Sequence, residues 1–318
     1  MKFYALILFI FLLASCNDQS KVEKEIEAIP IDVQIDRFDK VFAATTEQNL
    51  PEVKRKYPIF FPQQFNDSIW IEKINDTLQN QLEEEVVKKF PNDEYLEEVL
   101  EPLFQHIKYY FPKFKNPNVV TIISDVDYRN KIILAENMLV IGLDNYLGSD
   151  HFFYEGIEKY ITKEMKPSQI GPDVAEVYAR QFVAPPKTRS LLSIMIYFGK
   201  KLYLNDVFLP NIPDAEKIGY TEEEYLWSTE NEQYMWRYFV EKELLYSTDQ
   251  KLVARFISPA PFSKFYLEID NESPGMLGRF LGWQIVKSYM ENNDASVQQL
   301  MVMDAEEIFT NSKYKPKK

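Results

Sequence analysis

The sequence predicts a single, mainly α-helical α+β domain with a small antiparallel sheet. Three observations carry that expectation. Apolar residues recur every three or four positions in many separate segments, the period of one helix face. Residues 119–143 break the pattern with short β-branched runs separated by turn-length gaps. Residues 271–293 hold three of the nine glycines, Gly275, Gly278 and Gly282, in an otherwise helical stretch. Gly278 and Gly282 are four apart and share a helix face. Each helical glycine costs roughly 1 kcal/mol against alanine, so the pair predicts another backbone lying close to that face.

The first residues read as an export signal. Lys2 precedes an apolar run over 3–13 that ends Leu13-Ala14-Ser15-Cys16. The run is shorter than the ~20 apolar residues a transmembrane helix needs. Cys16 is the sole cysteine and stands where a bacterial lipobox places its lipidated residue. The expected organisation is a lipoprotein signal peptide over 1–15, a lipidated, solvated tether over 16–28, a helical α+β domain over 29–310 and a polar, frayed tail over 311–318. Disulfides cannot hold such a fold. With 46% hydrophobic and 15% aromatic residues, packing can. A formal charge of −13 argues against nucleic acid and anionic membrane surfaces, because the summed field repels phosphate.

Taken in order, Ile29, Ile31, Val33 and Ile35 alternate with polar residues and predict a half-buried strand. Helical patterns follow over 37–42, 50–57, 68–90 and 95–110, with a proline-bounded aromatic loop over 57–62. Residues 119–124, 132–134 and 138–141 predict strands of an antiparallel meander. Helices are expected over 156–163, 172–182, 190–204, 222–227 with Thr221 as cap, and 234–245. Gly199 sits among bulky neighbours, which makes the 190–204 helix the expected partner of the Gly278/Gly282 face. Ser273-Pro274 predicts the start of the glycine helix, since a hydroxyl caps free amides and proline suits the first turn.

Chemical motifs are sparse. His106 and His151 cannot supply a three-histidine zinc site, and the chain has no His-Glu-x-x-His, Gly-x-Ser-x-Gly, phosphate loop or dinucleotide fingerprint. No cofactor is expected. Asp144, Asp150, His151 and Glu155 are close enough in sequence for a mixed metal site, but a turn and a helix cap explain Asp150 and His151 more simply. Asp270 and Glu272 are the best-placed carboxylates for glycoside hydrolysis, against the simpler reading that they cap the glycine helix. Tyr225, Trp227, Tyr234, Trp236 and Tyr238 could line a sugar or protein platform, though aromatics at helical spacing more often belong to the core.

Several segments stand in a recognisable order: the lipobox ending at Cys16, Ile-Gly-Leu-Asp-Asn-Tyr-Leu-Gly over 141–148, the run 191–210, Ile-Gly-Tyr-Thr over 218–221, Pro-Ala-Pro-Phe over 259–262, Asn-Glu-Ser-Pro-Gly over 271–275 and Gly-Trp-Gln-Ile-Val over 282–286. In them the chain resembles the gliding-motility lipoprotein GldB family of Bacteroidota. Met276 departs from the basic residue expected after Pro-Gly. The resemblance implies a non-catalytic envelope component needed for gliding, held in the inner or outer membrane by its lipidated N-terminus and facing the periplasm. Its implied partners are other gliding-motility envelope proteins, in machinery tied to type IX secretion.

The family is in turn similar to predicted zincin-like peptidases, which carry a His-Glu-x-x-His helix, a later Glu-Gly pair and a glycine-bearing helix near the end. On that comparison the helix around 175–182 offers Tyr178, Arg180 and Gln181 and no histidine, and Phe198-Gly199 stands in place of Glu-Gly. Phenylalanine cannot bind zinc, and a nearby arginine repels it. The resemblance thus implies a zincin-like pseudoenzyme whose former active-site region includes Tyr178, Arg180, Gln181 and Phe198. A residual peptidase or glycoside hydrolase with an unrecognised carboxylate site is the alternative, followed by a sugar-binding lipoprotein.

Overall fold

The computed structural model describes residues 21–317. The expected signal peptide and Cys16 lie outside the described residues. Residues 21–27, expected as part of a solvated tether, form a helix (α1) with Ile26 buried. Gln105 secures the segment that follows, donating to the carbonyls of Glu27 at 3.2 Å and Ile29 at 3.1 Å. The strand expected over 29–35 therefore shrinks to β1 (Ile35–Asp36).

Helices α2 (Phe38–Ala43) and α3 (Leu50–Lys56) precede the aromatic stretch, which winds into a 3-10 turn at Pro58–Phe60 rather than extending. Phe38, Phe42, Leu50, Val53, Tyr57 and Phe61 close a small core of their own. The helix expected over 68–90 is two, α4 (Asp67–Ile74) and α5 (Thr77–Lys89), because Asp76 caps the second by accepting from the Gln79 amide at 2.9 Å. Helix α6 (Glu94–Tyr110) leads to β2 (Asn118–Ile122), β3 (Ile132–Ala135) and β4 (Met138–Gly142).

The sheet is mixed, not an antiparallel meander. Its order is β1-β2-β4-β3, with β2 parallel to both neighbours and only β3 and β4 antiparallel. After β2 the chain crosses to the outer edge, and the β3–β4 hairpin brings β4 back to the centre, with Val119 opposite Leu139. Burial explains the order. Met-Leu-Val-Ile-Gly is apolar throughout and is covered on both faces, whereas β3 alternates and suits an edge.

The second half is helical: α7 (Lys159–Thr162), α8 (Ile170–Phe182), α9 (Leu191–Phe208), α10 (Asp214–Ile218), α11 (Glu222–Glu230), α12 (Glu232–Glu241), α13 (Lys251–Phe256), α14 (Leu277–Asn292), α15 (Val297–Val302) and α16 (Ala305–Asn311). Helix α9 runs through the middle, buried on nearly every side, with Ser190 capping the Ser193 amide. A full capping box between Thr221 and Glu224 starts α11.

Helix α14 crosses α9 at backbone contact. A Cβ on Gly199 would lie 2.3 Å from the Gly282 carbonyl oxygen, and one on Gly282 only 2.0 Å from that of Met195. Gly278 faces α13 instead, where a Cβ would meet the Phe256 oxygen at 2.9 Å. The start of α14 differs from expectation. Met276, at φ 58°, is the cap position, and the Ser273 hydroxyl turns away to the carbonyls of Asp270 at 2.8 Å and Ser263 at 3.1 Å. The buried Leu277 amide, which has no partner within the helix, is met from another segment, by the Ser263 hydroxyl at 3.3 Å. The polar tail does not fray either. The Ser312 carbonyl accepts from the Ser288 hydroxyl at 2.8 Å, and the Tyr314 hydroxyl donates to Glu232 at 2.6 Å.

Candidate functional site

The α8–α9 pair opens, on the side facing Arg279 of α14, into a cleft of about 300 Å³ whose wall is dense in charge. Helix α8 presents Asp173, Glu176 and Arg180, three and four residues apart and so on one face. Helix α9 adds Phe198 and Asn205, helix α10 adds Lys217, and loops add Lys131 and Glu164.

Most of these charges are paired. Asp173 takes Lys131 at 2.6 Å and the Tyr146 hydroxyl at 2.7 Å. Glu176 takes Lys201 at 2.6 Å and Arg180 at 3.2 Å. Lys217 reaches Asp206 at 3.0 Å and Asp214 at 3.1 Å, and Lys287 joins Asp214 at 2.8 Å. Two groups are different. Glu164 has no side-chain hydrogen bond or ion pair among the described residues, and burial pushes its carboxyl pKa up to about 7. Arg279 has one side-chain hydrogen bond among the described residues, from Nε to the Ile257 carbonyl at 2.7 Å, and burial draws its pKa down.

Of the residues singled out from sequence for the former active site, the cleft gathers Arg180 and Phe198. Tyr178 and Gln181 lie on another side of α8. Tyr178 is buried against Phe104 and Phe114, and both line a neighbouring groove along 110–117. The Phe198 ring lies between cations, with Lys201 Nζ at 4.0 Å and Arg279 Cζ at 4.2 Å from its centroid. The zinc that the peptidase comparison implies does not fit here. On that comparison Phe198 stands in place of a carboxylate ligand and has two positive charges beside its ring, and Glu176 is already paired with Lys201 and Arg180. Among the described residues no three His, Cys, Asp or Glu side chains converge as metal ligands.

The other sequence candidates scatter. Asp144 is fully buried and accepts from the Ser124 amide and hydroxyl, both at 3.0 Å, and from the Val126 amide at 2.6 Å. It thereby pins a turn in which Asp125 and Val126 both have φ near +56°. Asp150 and Glu155 are exposed, while His151 contacts Glu85 at 3.2 Å and accepts weakly from the Phe153 amide. Asp270 caps the amides of Phe265, Tyr266 and Leu267 rather than α14. Glu272 is exposed. Trp227, Tyr234 and Tyr238 share a shallow apolar depression with Phe265, whereas Tyr225 bonds Asp214 and Trp236 packs on Tyr314. Gly275 packs directly under Ala260, whose oxygen would be 2.2 Å from a Cβ there.

Sequence reading passed over Glu164, Asp173, Glu176, Lys201, Asn205 and Arg279. One signal was available for Arg279, the lone charge between Gly275 and Lys287 in the glycine helix.

These features define a helical protein knit by a glycine crossing, with an ion-paired cleft beside it and, among the described residues, no helix long and apolar enough to cross a membrane. The family model described as "Gliding motility protein GldB" matches residues 19–316, nearly the entire chain. The chain belongs to that gliding-motility family. No curated protein and no solved structure matches it.

Proposed function

We propose that this chain is a non-catalytic, lipid-anchored envelope protein that serves gliding through contacts with other envelope components, on a scaffold related to zincin-like peptidases. Family membership supplies the gliding role. The observation that supports the non-catalytic reading is the surroundings of Phe198, whose ring has the cations Lys201 and Arg279 beside it, charges that would repel a metal. Acylation of Cys16 supplies the membrane attachment, and more than one acyl chain makes it stable. One observation favours the residual hydrolase as the second reading, namely that the enclosed Glu164 carboxyl titrates near neutral pH, as a general acid or base would.

A strain carrying only the Cys16→Ser variant tests the anchor. The variant is expected to leave the membrane fraction, and gliding of single cells should be lost with it. Normal gliding by a variant found only in the soluble fraction would refute the anchored scaffold.

A further inference from the structure

The charge inventory of the cleft does not close on itself. Asp173, Glu176 and Lys217 each have partners of opposite sign, and Lys131 is taken up with them. Glu164, Arg279 and the exposed Arg129 are left without an ion pair among the described residues, and of these Glu164 and Arg279 are the partly buried ones, opposite in sign and not in ion-pair contact with each other. Both are held in place. The Arg279 guanidinium is tied through Nε to the Ile257 carbonyl and lies against the Phe198 ring, and its terminal nitrogens have no acceptor among the described residues. Glu164 is backed by Gly219, where a Cβ would come within 2.6 Å of its Oε1; φ of +75° suits glycine at that turn. A third group is unsatisfied beside them. Asn205, 2% exposed, bonds through its amide nitrogen to the Lys217 carbonyl at 3.4 Å, and its Oδ1 is buried with no partner among the described residues.

The buried Asn205 Oδ1 carries a desolvation cost that the fold leaves uncompensated, and the partly buried Glu164 carboxyl and Arg279 terminal nitrogens have no ion pair among the described residues to offset theirs. One molecule bearing a cation and an anion would relieve all three. We propose that this cleft binds a small zwitterion of the α-amino-acid class, its carboxylate on Arg279 and its ammonium at Glu164 and Asn205. A guanidinium takes a carboxylate bidentately, and an ammonium is matched by a carboxylate with a neutral amide oxygen beside it. The volume of about 300 Å³ lies at the small end for ligand sites, about 300–1,000 Å³, and so favours a single amino acid over an extended peptide. Such binding needs neither metal nor catalysis, and it stands whether or not the gliding scaffold reading holds.

Saturation-transfer NMR on the full chain in detergent, with the twenty common amino acids in turn, tests the site. At least one should bind. Its N-acetyl and carboxamide forms, each missing one charge, should each bind at least about tenfold more weakly. Arg279→Gln should abolish the preference for the free carboxylate and Glu164→Gln the preference for the free ammonium, with circular dichroism confirming that each variant folds. The ligand series needs no variant and decides the matter if a variant misfolds. Binding by none of the twenty, or equal binding of parent, N-acetyl and carboxamide forms, overturns the proposal.

Discussion

Glu164 sets the chemistry of the cleft at the level of one residue. Its ordinary pKa near 4.5 is pushed up to about 7 by burial, with Lys131 pulling it back and Asp173 pushing further. Below pH 4.5 both folded and unfolded chains hold the proton. Between 4.5 and 7 the unfolded chain ionises first, so the native state binds more protons and stability falls as pH rises. The loss over that window is up to about 3 kcal/mol, at roughly 1.36 kcal/mol per pKa unit, and is constant above it. Glu164→Gln should therefore raise the urea midpoint over that of the parent chain at pH 8 and match it at pH 4. A difference that is the same at both pH values would remove ionisation as its cause. What sequence reading recovered at this scale was the nearness of Arg180 and Phe198, which line one cleft. It missed Glu164, Asn205 and Arg279 because their significance is the lack of a partner, and partners here come from other elements of the chain, as with Arg279 and Ile257 or Lys131 and Asp173.

The crossing of α9 and α14 was legible among the elements, since two glycines four apart in a bulky helix have few other uses. Which glycine meets which neighbour was not. Gly282 lies on Met195 and Gly199 on Gly282, but Gly278 lies on Phe256, a helix that spacing alone could not nominate. Alanine at Gly199 or Gly282 would gain roughly 1 kcal/mol of helix propensity and place a methyl inside a backbone contact. Overpacking of that kind costs about 1–3 kcal/mol or more, so each substitution should lower the urea midpoint, with non-additive effects in the double variant. An unchanged or higher midpoint for Gly282→Ala would mean that the helices do not touch there. The sheet was harder to read. Turn-length gaps suggested a meander, whereas the unbroken apolar run of β4 was the better guide, since it needs cover on both faces.

Across the whole molecule, the C-terminal segment closes the helical half. Its polar and basic residues suggested a frayed tail, yet Tyr314 reaches Glu232, a carboxylate 2% exposed whose pKa burial raises, and Ser312 is buried beneath Ser288 and Asn292. Composition reports the solvated side chains of such a segment and not the two that anchor it. Truncation after Asn311 would strand the Glu232 carboxylate and two donors, at a cost of about 1–3 kcal/mol for each buried group left unsatisfied. Thermal unfolding of the truncated chain should show a clear drop in Tm. An unaltered Tm would indicate that the tail is only laid against the surface.

The central claim is that this member of a gliding-motility family works without a catalytic metal. It is tested most directly by elemental mass spectrometry of the full chain, purified in detergent without chelator. Zinc and other transition metals should be far below one per chain, with the protein folded by circular dichroism. One zinc bound per folded chain would contradict the account, and would mean that ligands converge despite the cations around Phe198.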